Sequence, residues 1–486
     1  MKKNIFLVSI LALATLVGCD KDFLNEAPKL SQSDELTLST FDGLDKSAAG
    51  CYSPLASSNW YAQDFILINE LKTMNGKKLV GTEYDSGRCT DHYQVNWLAS
   101  NTTALWGTAY YTIVSASEVI DNLQNAENES GVSAQDLNNI KAECLFLRAL
   151  AHFDLVRTYA QPYCYSADAS HAGVPVILHK DPSAFPARNT VKEVYEAVIA
   201  DLTEAESIIA PSYVRAGVDD KAAAVTLQAI QALLARVYLY SENWQKAADY
   251  ATKVIDSKKF ALWTSEDFAV PEASPYCADT QSGDEVIFEV YGKKTNSYDG
   301  YWDGLANMAA PASYGDAGAT DQLMALYEDG DARGNLFVDS SYGDKDAAGV
   351  YWSSKYLGKG AGTPDVTNVI VLRLSEMYLI RAEAVGLHNA SSSVSAVDDL
   401  KTIATRVGAT PQNATASGIA LERAKEFAWE AHLWFDLGRT KCDMTRVDET
   451  GTGVIENIAW GSKYFAMPIP ESQIKVDPNL VQNEGY

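Results

Sequence analysis

The sequence predicts an all-α fold: a scaffold of stacked helix pairs, interrupted by one long loop-rich insertion that carries short strands. Two observations predict it. Apolar residues recur at the 3.6-residue period in paired segments a few tens of residues apart. Between two groups of such segments, residues 258–365 lose the period and become rich in Gly, Asp, Ser, Tyr and Trp. The chain, at 486 residues, is long enough for a sizeable core.

The elements follow in order. Lys2 and Lys3 precede an apolar run from Ile5 to Val17, the length of a signal-peptide core and too short to span a bilayer. It ends in Leu16-Val17-Gly18-Cys19, which resembles a lipobox, the site where a bacterial cell diacylates the cysteine and cleaves before it. Residues 1–18 are then a removed signal peptide, Cys19 is the lipidated residue, 19–30 form a polar tether and 31–486 a single domain. No later run is apolar enough to span, so the mature chain is expected to be anchored by lipid. Helices are expected at 103–125, where Leu105, Trp106, Ala109, Ile113, Ala116 and Ile120 share a face, and at 134–160, stopped by Pro162. The next, 190–209, has Thr190 or Asn189 as cap and Glu193 placed for a capping box. Another follows at 222–240. Asn243 to Ala251, with alanines among larger residues, resembles helix A of a tetratricopeptide repeat. Helices return at 372–388, 394–407 and, as one long element, 416–437; the tail from 466, with three prolines, reads as extended. Within the insertion Glu285 to Val290 is a strand candidate, and an insertion of this size points to binding.

Charge and motifs narrow the chemistry. A net charge of −25 repels phosphate backbones, which argues against nucleic acid and weakly favours neutral ligands. The six histidines show no zinc-like spacing, and no cofactor signature is present. GxSxG, HExxH and GxxxxGK[ST] are absent, so no catalytic residue stands out and the chain does not read as an enzyme. Asp329-Gly330-Asp331-Ala332-Arg333-Gly334 imitates a calcium loop, but Arg333 sits where an oxygen ligand belongs; it reads as a turn. Six cysteines besides Cys19 leave disulfide pairing open.

Four segments, in order along the chain, resemble the SusD/RagB family: Ala142 to Tyr159 (AECLFLRALAHFDLVRTY), Arg373 to Ala384 (RLSEMYLIRAEA), Glu426 to Thr440 (EFAWEAHLWFDLGRT) and the close from Pro468 to Tyr486. The resemblance implies four tetratricopeptide-like helix pairs. It also implies a lipoprotein on the outer face of the outer membrane, paired with a SusC-like TonB-dependent transporter and capturing oligosaccharides or, in some members, peptides. The Arg and Glu/Asp residues inside these helices (Arg148, Asp154, Arg157, Glu376, Arg381, Glu383, Glu430, Asp436, Arg439) are read as ion pairs between packed helices.

Ligand candidates are aromatic and polar residues off the helices. A pyranose offers apolar C–H faces to a flat ring and hydroxyls to Asp, Asn and Arg. One group is Tyr84, Asp85, Arg88, His92, Tyr93 and Trp97, where the resemblance places a ligand-facing loop; the others are Tyr291, Tyr298, Tyr301, Trp302 and Tyr314, and Tyr351 with Trp352. Trp97 leads, and Trp97→Ala is expected to weaken binding with the fold intact. Glycan capture is the first expectation, peptide capture the second, a glycosidase or a purely structural helical adaptor remote.

Overall fold

The structure, a computed structural model, describes residues 34–82, 85–218, 221–277, 283–292, 304–309, 314–339, 350–358 and 367–486. The principal helices are α1 (Phe41–Gly50), α2 (Asp64–Leu71), α3 (Leu105–Asn122), α4 (Ala134–Tyr159), α5 (Val191–Ile208), α6 (Leu227–Tyr240), α7 (Trp244–Asp256), α8 (Leu374–His388), α9 (Ala396–Thr405), α10 (Ala416–Glu426) and α11 (Leu433–Arg439). Each packs on its neighbour: α3 on α4, α4 on α5, and so through α8, which also carries α9 and α10. This chain of nearest-neighbour contacts is the tetratricopeptide-like scaffold.

Local chemistry sets the helix starts. Ser133 and Asp136 form a reciprocal capping box before α4, and Thr190 with Glu193 does the same before α5, as the spacing predicts. Helix α4 is buried on all sides from Ala142 to Val156, because it lies between α3, α5 and α1. Small residues let helices approach: a Cβ on Gly386 of α8 would meet the Ala396 Cβ of α9 at 2.9 Å. The alanine-rich stretch after Asn243 is α7. It follows α6 through a turn at 241–243, so it is the second helix of its hairpin, not the first as expected.

Two expectations about the C-terminal third need correction. The single helix 416–437 is broken into α10 and α11 by a turn in which Trp429 and Ala431 have φ of 65° and 60°. Tertiary bonds hold this turn. The Ala428 and Trp429 carbonyls accept from Lys355 Nζ and Tyr356 Oη, while the Ala431 N–H donates to Glu70 at 2.6 Å. The tail is also not wholly extended, since Glu471–Val476 is helical.

Short antiparallel strands stitch the insertion to the scaffold, β1 (Gly76–Lys78) with β3 (Ala317–Ala319) and β2 (Val286–Val290) with β6 (Val369–Arg373), while β4 (Phe337–Val338) and β5 (Trp352–Ser353) pair within it. Beneath them lies a buried charge network. Arg373 pairs with Glu285 (2.8 Å), Glu426 (2.5 Å) and Glu430 (2.8 Å). Arg333 pairs with Asp331 (2.8 Å), Glu422 (2.7 Å) and Glu426 (2.9 Å), and Lys355 with Glu430 (2.5 Å). The Asp329–Gly334 segment is thus a turn that delivers Arg333 into carboxylates. Along the repeats Arg148 pairs with Asp201, Arg381 with Asp399, Arg236 with Glu376 and Arg439 with Glu383. The six cysteines among the described residues are free thiols.

Candidate functional site on the loop face

Strand pairing gathers three distant loops at one edge. The β1–β3 ladder joins residues 76–78 to 317–319, and Ala319 forms a further bridge to Tyr351, its N–H donating to the Tyr351 carbonyl at 2.6 Å. Gly318 is required here: a Cβ would meet Val350 Cγ1 at 2.7 Å and the Tyr351 carbonyl oxygen at 2.8 Å. The loop after β1, residues 314–316 and Tyr351 therefore share one neighbourhood.

A buried ion pair forms its floor. Lys78, fully buried, donates to Asp316 Oδ2 at 2.6 Å and to Asp85 Oδ1 at 2.9 Å. The Ser86 N–H donates to the same Asp316 oxygen at 2.8 Å, and Asp316 Oδ1 is buried without a hydrogen-bond partner. Asp85 also accepts from the Gly81 and Gly87 N–H groups at 2.8 and 2.9 Å. Partial burial raises its pKa, but these bonds and Lys78 outweigh burial and bring the carboxyl down to about 2. Above this floor the half-buried Arg88 lays its guanidinium over the Tyr314 ring, 4.7 Å from the centroid. Tyr351 is half-buried as well.

The sequence candidates separate on this geometry. Asp85 is a loop staple, Arg88 and Tyr314 meet, and Tyr351 is tied by its bridge to Ala319, on the strand that follows Tyr314. Trp97 is different: it is 2 % exposed, its Nε1 donates to Tyr486 Oη at 2.7 Å, and its ring stands edge-on to Tyr464 at 5.8 Å with Lys72 Nζ 5.6 Å from its centroid. No face is open to a sugar, because Trp97 fastens the C-terminal tail to the core. Trp352 is likewise interior, 0 % exposed with Nε1 donating to Gly315 O at 2.9 Å. His92 stacks on Trp97 at 6.2 Å; burial, aided by Lys72, pushes its pKa down to about 4, so the ring is neutral at pH 7. Tyr93 is buried and Tyr291 lines a different hollow, beside Tyr52 and Phe288. Cys19, Tyr84, Tyr298, Tyr301 and Trp302 lie outside the described residues. Lys78 and Asp316 were not legible as site residues, since a charged tripeptide strand and a lone Asp carry no periodicity.

Comparisons with known proteins agree with the fold. Residues 22–239 match a family model described as "Starch-binding associating with outer membrane", and residues 348–486 match one described as "SusD family". The chain is 26 % identical to SusD-like protein P2 of Formosa agariphila, over 98 % of both chains. A 28 % identical SusD superfamily protein from Bacteroides vulgatus superposes with a TM-score of 0.80, covering 92 % of this chain and 99 % of its own. A shorter match, 29 % identical and covering 35 % of this chain and 31 % of the relative, is to the starch-binding protein SusD of Bacteroides thetaiotaomicron. Among the described residues no helix is long and apolar enough to cross a membrane. The helix-pair scaffold, the matched helices and their order along the chain make this protein a member of the SusD/RagB family.

Proposed function

We propose that this protein is a cell-surface lipoprotein, anchored through Cys19, that captures glycan at the Arg88–Tyr314–Tyr351 loop face. It delivers the ligand to a SusC-like TonB-dependent transporter and does not cleave it. The family descriptions support the ligand class and the outer-membrane association. The observation that carries the site is Arg88 over Tyr314, half-buried on a floor locked by Lys78 and Asp316. A pre-organised guanidinium and ring offer hydroxyl recognition and C–H stacking at small entropic cost. The lipid tether keeps captured ligand at high effective concentration beside the transporter. Titration calorimetry against polysaccharides, oligosaccharides and peptides, with each mixture checked for cleavage, tests this. Saturable glycan binding that falls in Arg88→Ala and Tyr314→Ala is expected; unchanged affinity in both variants removes this face from the site, and product formation overturns the binding-only reading.

A further inference from the structure

A second cleft, of about 550 Å³, lies between residues 161–172 and the C-terminal tail, and neither Arg88 nor Tyr314 lines it. Its size suits a small ligand of one or two sugar rings. Arg188 lines it. The guanidinium is held by carbonyl oxygens alone: Nε donates to Gly173 O (2.6 Å), Nη1 to Val481 O (3.0 Å), and Nη2 to Ala172 O (3.0 Å) and Tyr159 O (3.4 Å). Most described arginines end on a carboxylate, as the networks around Arg333 and Arg373 illustrate; Arg188 forms no ion pair among the described residues. Arg446 is also bound only to carbonyls, but it is buried against Tyr93 inside the core. Arg188 alone of these two opens onto a cleft.

Lys463 lines the same cleft. Its Nζ donates to Gly485 O at 3.0 Å, lies 4.5 Å from the Tyr486 ring centroid, and forms no ion pair among the described residues. Glu484 stands exposed at the rim. Gln161 contributes an acceptor: its Nε2 donates to Ser462 O at 2.9 Å, while its Oε1 is buried with no hydrogen-bond partner. Tyr165 presents an exposed ring, set edge-on to His171.

These groups ask for three things in one ligand: an anion for the two cations, a hydroxyl for Gln161, and a C–H face for Tyr165. We infer that this cleft is a subsite for an acidic sugar, a pyranose bearing a carboxylate, beside Arg188 and Lys463. The chain's net charge of −25 points toward neutral ligands, but this cleft sets two cations, Arg188 and Lys463, against one exposed carboxylate, Glu484, at its rim. The inference rests on the glycan-capture reading and adds a charge preference to it.

The test is saturation-transfer NMR on the purified chain with glucuronate and galacturonate, against glucose and galactose. Transfer to both acids, weakened by added salt and lost in Lys463→Gln and Arg188→Gln, is expected. Arg188 also clamps the tail, so Arg188→Lys, which keeps the charge, should retain part of the signal, and Lys463→Gln, whose amide can still donate to Gly485 O, removes the charge while leaving the Arg188 bond to Val481 in place. No transfer to either acid, or transfer unchanged in Lys463→Gln, overturns the subsite. Neutral-glycan binding sensitive to Arg88→Ala, measured in parallel, then still stands and leaves the capture reading intact. Loss of all glycan binding in the unaltered chain removes both.

Discussion

The scaffold interior and the loop face use the same residue types for opposite ends. In the interior, Arg373 sits among Glu285, Glu426 and Glu430, and each guanidinium meets carboxylates out of reach of water. Such groups gain little net stability from being charged, but removing one partner strands the others. On the loop face Arg88 is half-buried over a ring. There the guanidinium lies against an aromatic face and is partly open to solvent. The difference teaches that burial decides what a charge is for: Arg373, sealed among carboxylates, is structural, whereas Arg88, partly exposed against a ring, stands where the proposed ligand can meet it.

That contrast is sharpened or broken by a graded set of substitutions. Arg373→Ala should have the largest effect, a loss of roughly 3–5 kcal/mol or more, read from denaturant midpoints; a loss below about 1 kcal/mol would make the network dispensable and the contrast false. Trp97→Ala comes next. Because the ring is core and holds Tyr486, about 3 kcal/mol should be lost as cavity and packing, and the melting temperature should drop. A variant that keeps its melting temperature but loses ligand would return Trp97 to the site.

Glu70 gives a pH test of the interior. Burial raises its carboxyl to about 7, against hydrogen bonds from Asn75 and Ala431 that lower it. This folded value lies above the ordinary 4.5, so the native state holds a proton the unfolded chain releases. Its contribution is fully present below pH 4.5, falls as pH rises to about 7, and is level above. The buried His92 and His152, lowered to about 4 and 3, act in the opposite sense, so the informative quantity is the difference between wild-type and Glu70→Gln stability curves. That difference should change between pH 4.5 and 7 and be constant above; a flat difference throughout would place the carboxyl in contact with water. The smallest stability effect is expected for Arg88→Ala, about 0.5–1 kcal/mol, with glycan affinity falling roughly tenfold. A larger loss of stability than of affinity would assign Arg88 to the scaffold.

Much of the scaffold was legible in the residues. The stripe from Leu105 to Ile120, the Thr190 start, and the small residues of α7 each act over one or two helical turns, and short-range physics is what a sequence displays. The loop that breaks α10 from α11 was not legible. Phe427 to His432 has helical composition, and only Lys355, Tyr356 and Glu70, distant in sequence, pull its carbonyls and N–H groups into another path. The same limit applies to the site. Trp97 and Arg88 look alike as polar-loop candidates, and burial against Tyr486 and Tyr464 turns one into a core residue while Tyr314 leaves the other half-buried.

What the sequence by itself determined is the helical periodicity, the acidic character and the order of the family-like helices, because each is a local or additive property of residues. What only the tertiary structure decided is which rings are sealed and which charges are paired. Those depend on long-range partners such as Asp316 for Lys78 and Tyr314 for Arg88, and no spacing along the chain announces a contact that chain folding alone brings together.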